Sequence, residues 1–212
     1  MKQLYFIVLL LLLNFFSFSQ INRFGVPFIT NYSPQEYEAS EQNWSIVQDH
    51  RGVMYFGNND NGVLEYDGVN WRKIPIDNNS IVRSLAIDKD GVIYVGAVGE
   101  LGFLSPDFAG NLHYVSLTSR IDSASREFSD VWKTYATEDG VYFCTTSAIY
   151  CYFNNAIQVI PLKNGAFFSF YVLNKLYNGH YLNGLELLYE NTFQLVKKGE
   201  FFSKKLTFLH KL

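Results

Sequence analysis

The residues that could perform catalysis are scattered along this chain of 212 residues. Its histidines are His50, His113, His180 and His210, and none has a cysteine or carboxylate at a spacing that repeats. Metal centres need grouped ligands, so no metal site is expected. Asn58–Gly62 brings several side-chain oxygens together, but it lacks the alternating acidic positions and final glutamate of a helix–loop–helix calcium site. This pattern favours a polar turn.

Two aspartates could act as acid–base groups, but their positions favour a role in turns. Asp49 lies three residues before Gly52, and Asp88 lies three residues before Gly91. These are the first and fourth positions of a type I turn. Gly96–Gly102 contains three glycines but joins two predicted strands, with no helix after it to receive a phosphate. We therefore predict no catalytic residue and no cofactor, and expect that the chain is not an enzyme.

Ligand binding is the chemistry that the polar turns and the tryptophans favour. Trp44 and Trp132 lie near the start of predicted strands, and aromatic faces beside a few polar groups are typical of small-molecule sites. Arg120 and Arg126 belong to the longest connection, Thr118–Asp130, which has no evident packing role in the sequence. The candidate ligand-binding residues are Trp44, Asn59, Asp60, Glu100, Arg120, Arg126 and Trp132. The alternative for each tryptophan is packing between blades, which is favoured for Trp71 and, less strongly, for Trp44.

The elements that would position these residues are short strands that repeat. Trp44–Ile74 reads as four runs of β-branched and aromatic residues bounded by Asn, Asp and Gly. The turn glycines Gly52, Gly91, Gly140 and Gly179 follow one another at intervals of 39, 49 and 39 residues. A period of about 40 residues with four strands per unit is typical of a β-propeller. The sequence therefore predicts an all-β fold of four-stranded antiparallel blades, with the candidate residues on one rim around its channel.

Two segments precede the predicted blades. Lys2, the apolar run Leu4–Leu13 and the small residues before Gln20 predict a signal peptide over residues 1–19, with an uncleaved anchor as the alternative. Residues 20–43 form a leader in which Phe24–Tyr32 is a strand that either completes the last blade or simply leads into the first. The predicted blades are residues 44–75, 81–117, 131–162 and 167–196, followed by the start of a further blade at 205–212.

Four blades and one further strand predict an incomplete ring. An open series of blades exposes unpaired strand edges, which proteins avoid. We therefore expect the chain to be the N-terminal part of a longer protein, either truncated or prematurely stopped. A complete four-bladed ring is the alternative.

The composition limits the possible partners and the state of the cysteines. A net charge of −3 provides no basic surface for nucleic acid. No apolar stretch after the N-terminus is long enough to span a membrane. The turn between the strands that carry Cys144 and Cys151 would place Cys144 opposite about Ile149, so the two sulfurs lie beyond bridging range. We expect two buried free thiols.

The repeats resemble the blades of the two-component regulator propeller family. The pattern D-x-x-G-x-x-Y-x-G followed by G-V-L-E-Y-D-G is carried by Asp49–Gly57 with Gly62–Gly68, and its first part by Asp88–Gly96. Gly25–Ser33, followed by Gln42–Asp49, resembles the start of such sensors in Bacteroidetes-type bacteria. The third and fourth units depart from the pattern because they lack the leading Asp and the Trp.

This resemblance implies a function in sensing outside the cytoplasm. Members of the family carry seven or more blades per ring, then a Tyr-rich sandwich, a membrane helix and a histidine kinase or DNA-binding output module. For this chain the resemblance implies a periplasmic, non-catalytic sensor whose partners are the missing C-terminal blades and output domain of the same polypeptide. Kinase activity is not carried over, because these residues contain no such module. The expected ligand is extracellular, for example an oligosaccharide.

Two other function classes stay open from the sequence. One is an exported propeller that binds or scaffolds a carbohydrate or protein partner without signalling. The other is a secreted propeller glycosidase or lyase, which would need carboxylates clustered on the first strand of each blade. Those strands offer mostly Ser, Val, Ala, Leu and Tyr, which disfavours the enzyme.

Overall fold

Short antiparallel strands form most of the described chain, which in this computed structural model comprises residues 29–60, 62–163, 165–166 and 168–205. The first sheet contains β1 (Asn43–Gln48), β2 (Met54–Asn58), β3 (Gly62–Tyr66) and β4 (Trp71–Ile74). The second contains β5 (Val82–Ile87), β6 (Ile93–Ala97), β7 (Leu101–Pro106) and β8 (Leu112–Ser116). The third contains β9 (Lys133–Thr137), β10 (Gly140–Cys144), β11 (Ala148–Phe153) and β12 (Ala156–Pro161). The fourth contains β13 (Phe168–Val172), β14 (Lys175–His180), β15 (Gly184–Tyr189) and β16 (Thr192–Leu195).

Each sheet is a meander in which consecutive strands pair antiparallel, and no described strand crosses from one sheet to another. The prediction of four-stranded antiparallel blades is therefore confirmed. The short helices of the described chain lie outside the sheets. They are α1 (Pro34–Tyr37) and the 3₁₀ helices Thr118–Arg120, Ser123–Ser125 and Gly199–Phe202.

The leader differs from the predicted strand. Residues 29–32 form no strand, and α1 follows directly, with the backbone N–H of Ser33 donating to Glu36 Oε2 at 2.6 Å. Proline in the first turn and a serine before it are typical of a helix start, which is why the chain turns here instead of extending. Residues 24–28 and the predicted signal peptide, residues 1–19, lie outside the described residues.

The turns between first and second strands have the predicted aspartate at their start. Asp49 Oδ1 accepts the backbone N–H groups of Arg51 at 2.9 Å and Val53 at 3.1 Å. Asp88 Oδ1 accepts the N–H groups two and four residues later in the same way. The glycine that closes each turn has positive φ, +87° at Gly52, which other residues rarely adopt. The interpretation of both aspartates as turn caps is confirmed.

The buried core is divided among the spaces between successive sheets. One cluster joins Tyr55 and Val63 of the first sheet to Leu85 and Val95 of the second. Because side chains alternate along a strand, neighbouring residues of β10 contribute to two clusters. Phe143 packs towards the second sheet, and Cys144 towards the fourth. Sheets that bury both faces against their neighbours in series form a radial arrangement and not a two-layer sandwich.

The inner edge of this arrangement is formed by the first strands. β1 contacts β5, β5 contacts β9, and β9 contacts β13. The described sheets follow one another as part of a ring and do not close it. The prediction of an incomplete ring is confirmed for these residues.

The cysteines lie as predicted. Cys144 pairs with Ile149, and Cys151 pairs with Tyr142, across the β10–β11 hairpin. Both are buried free thiols. Burial raises the pKa of the Cys144 thiol to about 12, so it is protonated at neutral pH.

Candidate functional site

A β-bulge near the start of β1 and another near the start of β5 each change the direction of one side chain. Asn43 pairs with Asn58 and Ser45 with Gly57, so Trp44 is an extra residue without a partner in β2. The same shift between Val82 and Ser84 makes Arg83 the extra residue of β5. A bulge bends its strand locally and changes the direction of a side chain. Trp44 and Arg83 therefore have equivalent positions in successive sheets.

Glycines in the second strands let successive sheets approach closely at this point. A Cβ atom on Gly57 would lie 2.9 Å from Val82 Cγ1, and one on Gly96 would lie 2.5 Å from Val131 Cγ1. Hydrogen bonds hold the same junctions together, because Ser45 Oγ accepts the N–H of Leu85 at 3.0 Å. The starts of β1, β5 and β9 are thereby brought next to one another.

The result is an arginine in the corner formed by two indole rings, which lie on adjacent sides of its guanidinium. The Arg83 guanidinium carbon lies 4.1 Å from the ring centroid of Trp44 and 4.9 Å from that of Trp132. The indole rings are 6.1 Å apart and nearly perpendicular. Arg83 Nε donates to Asp130 Oδ1 at 2.6 Å, and Trp44 Nε1 donates to Asn59 Oδ1 at 3.2 Å. We call these five residues (Trp44, Asn59, Arg83, Asp130 and Trp132) the Trp–Arg cluster.

The cluster is partly open to solvent. Trp44 is 39% exposed, whereas the side chains of Arg83 and Asp130 are 14% and 21% exposed. A guanidinium over an aromatic face is stabilised by the ring quadrupole, more so where water is excluded. The cluster can therefore present a rigid indole face beside fixed donors and acceptors to a small molecule.

The structure thus brings Trp44, Asn59 and Trp132 together, and the other four candidate residues lie elsewhere. Asp60 follows Asn59 in the β2–β3 turn, where its Oδ2 accepts Lys73 Nζ at 3.1 Å. Glu100 is only 6% exposed. Its Oε1 accepts the hydroxyls of Tyr114 at 3.0 Å and Ser116 at 2.7 Å, and that of Thr118. These observed contacts are internal; a ligand contact of Glu100 stays a prediction.

The long connection has a packing role, contrary to the sequence-based expectation. Ile121 is 2% exposed and belongs to the core between the second and third sheets, with Phe128 packed against it. Arg126 Nη2 donates to the carbonyl oxygen of Ile121 at 2.9 Å. Arg120 Nη1 donates to Asn155 Oδ1, in the turn that ends β11. The reason for choosing these arginines was wrong, and the hydrogen bonds they form among the described residues go to residues outside the Trp–Arg cluster; their role in binding stays a prediction.

Sequence reasoning missed Arg83 and Asp130 as parts of the site. Arg83 was hidden inside a predicted strand, and Asp130 at the end of the long connection. The available signal was positional, since Arg83 precedes Ser84 in the second unit as Trp44 precedes Ser45 in the first. The bulge and the Val98–Asp130 bridge that complete the site depend on tertiary structure.

Trp71 is a packing residue, as favoured from the sequence, although its setting was not foreseen. Its ring stacks on Tyr66 with centroids 4.5 Å apart, and Tyr32, Tyr37 and Phe56 surround it. This places Trp71 against Tyr32 and α1 and not between blades, and its indole N–H is buried without a hydrogen-bond partner among the described residues.

A groove of about 1000 Å³ lies at the opposite ends of the sheets. It is lined by the turns Asp88–Asp90 and Thr137–Gly140 and by the rings of Tyr94, Tyr152 and Tyr171. None of the seven candidate residues lines it. Burial raises the pKa of Tyr94 to about 12, with the neighbouring Asp88 carboxylate adding to the effect.

The described residues lack two kinds of feature. They contain no group of three or more His, Cys, Asp and Glu side chains placed to hold a metal ion. In the same ranges, no helix combines the length and apolar character that crossing a bilayer requires.

Comparison with known proteins bears on the fold. No family model and no curated protein sequence matches the chain. Virginiamycin B lyase from Staphylococcus aureus is similar in structure, with 15% identity and a TM-score of 0.52 over 74% of this chain and 57% of that one. The WD40 β-propeller domain of Doa1 gives 13% identity and a TM-score of 0.54 over 74% and 54%. The chain therefore spans little more than half the length of these structures.

A third similar structure is the extracellular domain of a protein described as a hybrid two component system of Bacteroides thetaiotaomicron. It has 20% identity and a TM-score of 0.52 over 71% of this chain and 20% of that one. At such identities the likeness concerns the fold. The fold is a β-propeller. In a propeller the first strands surround the central channel, so the Trp–Arg cluster lies at the channel side of the blades.

Proposed function

We propose that this chain is the ligand-binding propeller of an exported, two-component-type receptor, and that it is not itself catalytic. The observation that carries the proposal is the Trp–Arg cluster, because two indole rings and an immobilised guanidinium meet where three successive first strands begin. The fold is shared with the extracellular domain of the Bacteroides protein described above, and the repeat pattern resembles that of two-component regulator propellers. Both support a location outside the cytoplasm.

The ligand class that fits the cluster is a small saccharide. Trp44 is 39% exposed, and sugar rings stack on exposed indole faces through their C–H groups while amides and carboxylates bond their hydroxyls. Asn59 accepts the indole N–H with its Oδ1. Its NH₂ group has no hydrogen-bond partner among the described residues, so it can donate to a hydroxyl. Ligand binding would produce a signal by changing how the blades pack against one another, since the cluster spans three sheets.

The test is a binding assay of the 212-residue chain against a panel of oligosaccharides, followed by calorimetry. We expect at least one member to bind, and the double variant Trp44→Ala with Trp132→Ala to weaken binding by more than tenfold. Phe108→Ala is the matched control, because Phe108 is a fully exposed aromatic residue in the β7–β8 turn, at the other ends of the strands.

The same mixtures test the enzymatic alternative. Glycan cleavage that a single carboxylate substitution abolishes would favour a glycosidase or lyase over a sensor. Binding that the tryptophan variants leave unchanged would contradict the site. Recovery of the protein in the cytoplasm of its own bacterium after fractionation would contradict the exported location.

A further inference from the structure

The guanidinium of Arg83 uses only one of its N–H edges within the described chain. The edge formed by its two terminal nitrogens is called the free edge. Arg83 Nε donates to Asp130 Oδ1 at 2.6 Å. The two terminal nitrogens have no hydrogen-bond partner in the described parts of the chain, and they are not among the buried unsatisfied atoms. The nearly buried side chain therefore presents its outer pair of N–H groups to solvent.

The surroundings fix the direction of that free edge. Trp44 and Trp132 lie on two adjacent sides of the guanidinium, at 4.1 and 4.9 Å from its central carbon, and restrict its movement towards either ring. Asp130 restricts rotation within the guanidinium plane. An arginine held this way binds a ligand with little further loss of side-chain entropy.

We propose that the free edge of Arg83 binds the carboxylate of an acidic sugar, of the uronate type, with the sugar ring against Trp44. The planar fork of a guanidinium matches the two oxygens of a carboxylate, and such charge-assisted pairs are about twice as strong as neutral hydrogen bonds. Asp130 already occupies Nε, so the carboxylate takes the two terminal nitrogens. A neutral sugar would leave both of them without a charged partner.

This inference rests on the proposed function only in using the same cluster as the ligand site. It is tested with the indole N–H resonances in a ¹H–¹⁵N spectrum, because the chain has three tryptophans. D-glucuronate is titrated into the 212-residue chain, with D-glucose as the neutral match and acetate and sulfate as anions without a sugar ring. We expect glucuronate to shift the Trp44 and Trp132 signals. The dissociation constant obtained from these shifts should be at least tenfold lower for glucuronate than for glucose, acetate or sulfate. The Trp71 signal should stay in place and reports that the fold is intact.

Two variants separate the charge from the fork geometry. Arg83→Gln should reduce the affinity for glucuronate at least tenfold. Arg83→Lys keeps the charge but not the fork, and it should also lose most of the affinity for glucuronate. Lys89→Gln is the control for the loss of one positive charge, since Lys89 is exposed in the β5–β6 turn, at the opposite ends of the strands from the cluster. On the wild-type chain, glucuronate binding should weaken as salt rises from 50 to 500 mM, an arm that needs no variant.

The outcomes distinguish this inference from the function on which it rests. Equal shifts with glucose and glucuronate, insensitive to salt and to Arg83→Gln, would overturn the carboxylate assignment and leave a sugar site at the cluster. Equal shifts with acetate or sulfate would also overturn it, because the cluster would then be a simple anion site. Absence of any Trp44 or Trp132 shift with glucuronate overturns it outright, whatever the oligosaccharide panel shows.

Discussion

The carboxylate of Asp49 organises the first hairpin by accepting hydrogen bonds from two backbone N–H groups and from Arg51. Burial raises the pKa of Asp49, but these hydrogen bonds outweigh it and hold the pKa below its ordinary value. The hydroxyl of Tyr55 also donates to it, at 3.2 Å. A single aspartate therefore joins a turn to the second strand, and Asp88 with Tyr94 repeats the arrangement in the next sheet.

We expect Asp49→Asn to lower the free energy of unfolding by about 2 kcal/mol at pH 7, because it removes the charge and the oxygen Oδ2 that accepts hydrogen bonds from Arg51 and Tyr55. A carboxyl whose pKa is lowered by folding stabilises the protein above its unfolded pKa of about 3.9 and loses this effect as pH falls through the folded pKa. The difference between wild type and variant should therefore shrink below about pH 4. Urea unfolding at pH 7 and pH 3 measures it. Asp90→Asn, in the equivalent turn of the second sheet, is the control; an equal loss there would contradict the argument.

At the scale of the elements, the position of each sheet depends on small residues in the second strands. Gly96 has ordinary strand geometry, so its value lies in its lack of a side chain. Any Cβ atom there would collide with Ser84, Val131 and Thr134, at distances of 2.5 to 2.7 Å. The same residues form the hydrogen bonds that join the second sheet to the third.

Gly96→Ala is expected to destabilise the chain by about 1–3 kcal/mol, since the third sheet must move away from the second. It should also separate Arg83 from Trp132 and change the Trp132 indole resonance. Gly179→Ala is the matched control: a Cβ atom there meets nothing closer than 3.5 Å. Denaturant midpoints of the two variants measure the effect, and similar midpoints would contradict the proposed close approach.

The long connection Thr118–Asp130 acts as a packed element and not as a free loop. Its residue Ile121 fills the core between the second and third sheets, and Tyr150 donates its hydroxyl to the carbonyl of Ser125 at 2.8 Å. The connection ends in Asp130, which holds Arg83. The packing of this connection therefore fixes the position of Asp130, which in turn holds Arg83 in the Trp–Arg cluster.

For Ile121→Ala we expect a loss of about 2–4 kcal/mol in unfolding free energy, because a buried side chain is replaced by a cavity. Val69→Ala, at a residue that is 81% exposed, should change stability by no more than about 0.5 kcal/mol. Thermal unfolding compares the two. If the Ile121 variant were as stable as the Val69 variant, the connection would be a loose insertion after all.

At the scale of the whole molecule, the buried clusters between successive sheets differ in size. Among the described residues, the cluster between the third and fourth sheets has four buried members, Cys144, Ile149, Ile160 and Leu176. The clusters that flank the second sheet are larger. The fourth sheet also buries Asn178 Oδ1 without a hydrogen-bond partner in the described chain.

Hydrogen exchange should therefore be fastest in the strands of the fourth sheet and slowest in β6 and β10. Local opening requires less free energy where less apolar surface is buried. Mass spectrometry of exchanged peptides covering β14 and β6 makes the comparison within one sample. Slower exchange in β14 than in β6 would contradict this gradient.

The sequence by itself determined the local features of this protein. Turn aspartates and glycines, strand alternation and the repeat of about 40 residues act over short distances, and they were sufficient to predict four antiparallel sheets and the pairing of Cys144 with Ile149. They also identified Trp44, Asn59 and Trp132 as candidates. The predicted leader strand Phe24–Tyr32 is not formed in its described part, residues 29–32, and a helix start at Ser33 and Pro34 follows it.

Only the tertiary structure decided which side chains meet. Trp44, Arg83 and Trp132 are far apart in sequence, and they come together because bulges direct two of them and glycines let three sheets approach at one point. The same is true of Glu100, which the fold buries among hydroxyls, and of Arg120, which it directs towards the end of another sheet. Periodic patterns specify strands, whereas contacts between strands of different sheets depend on packing that no local pattern contains.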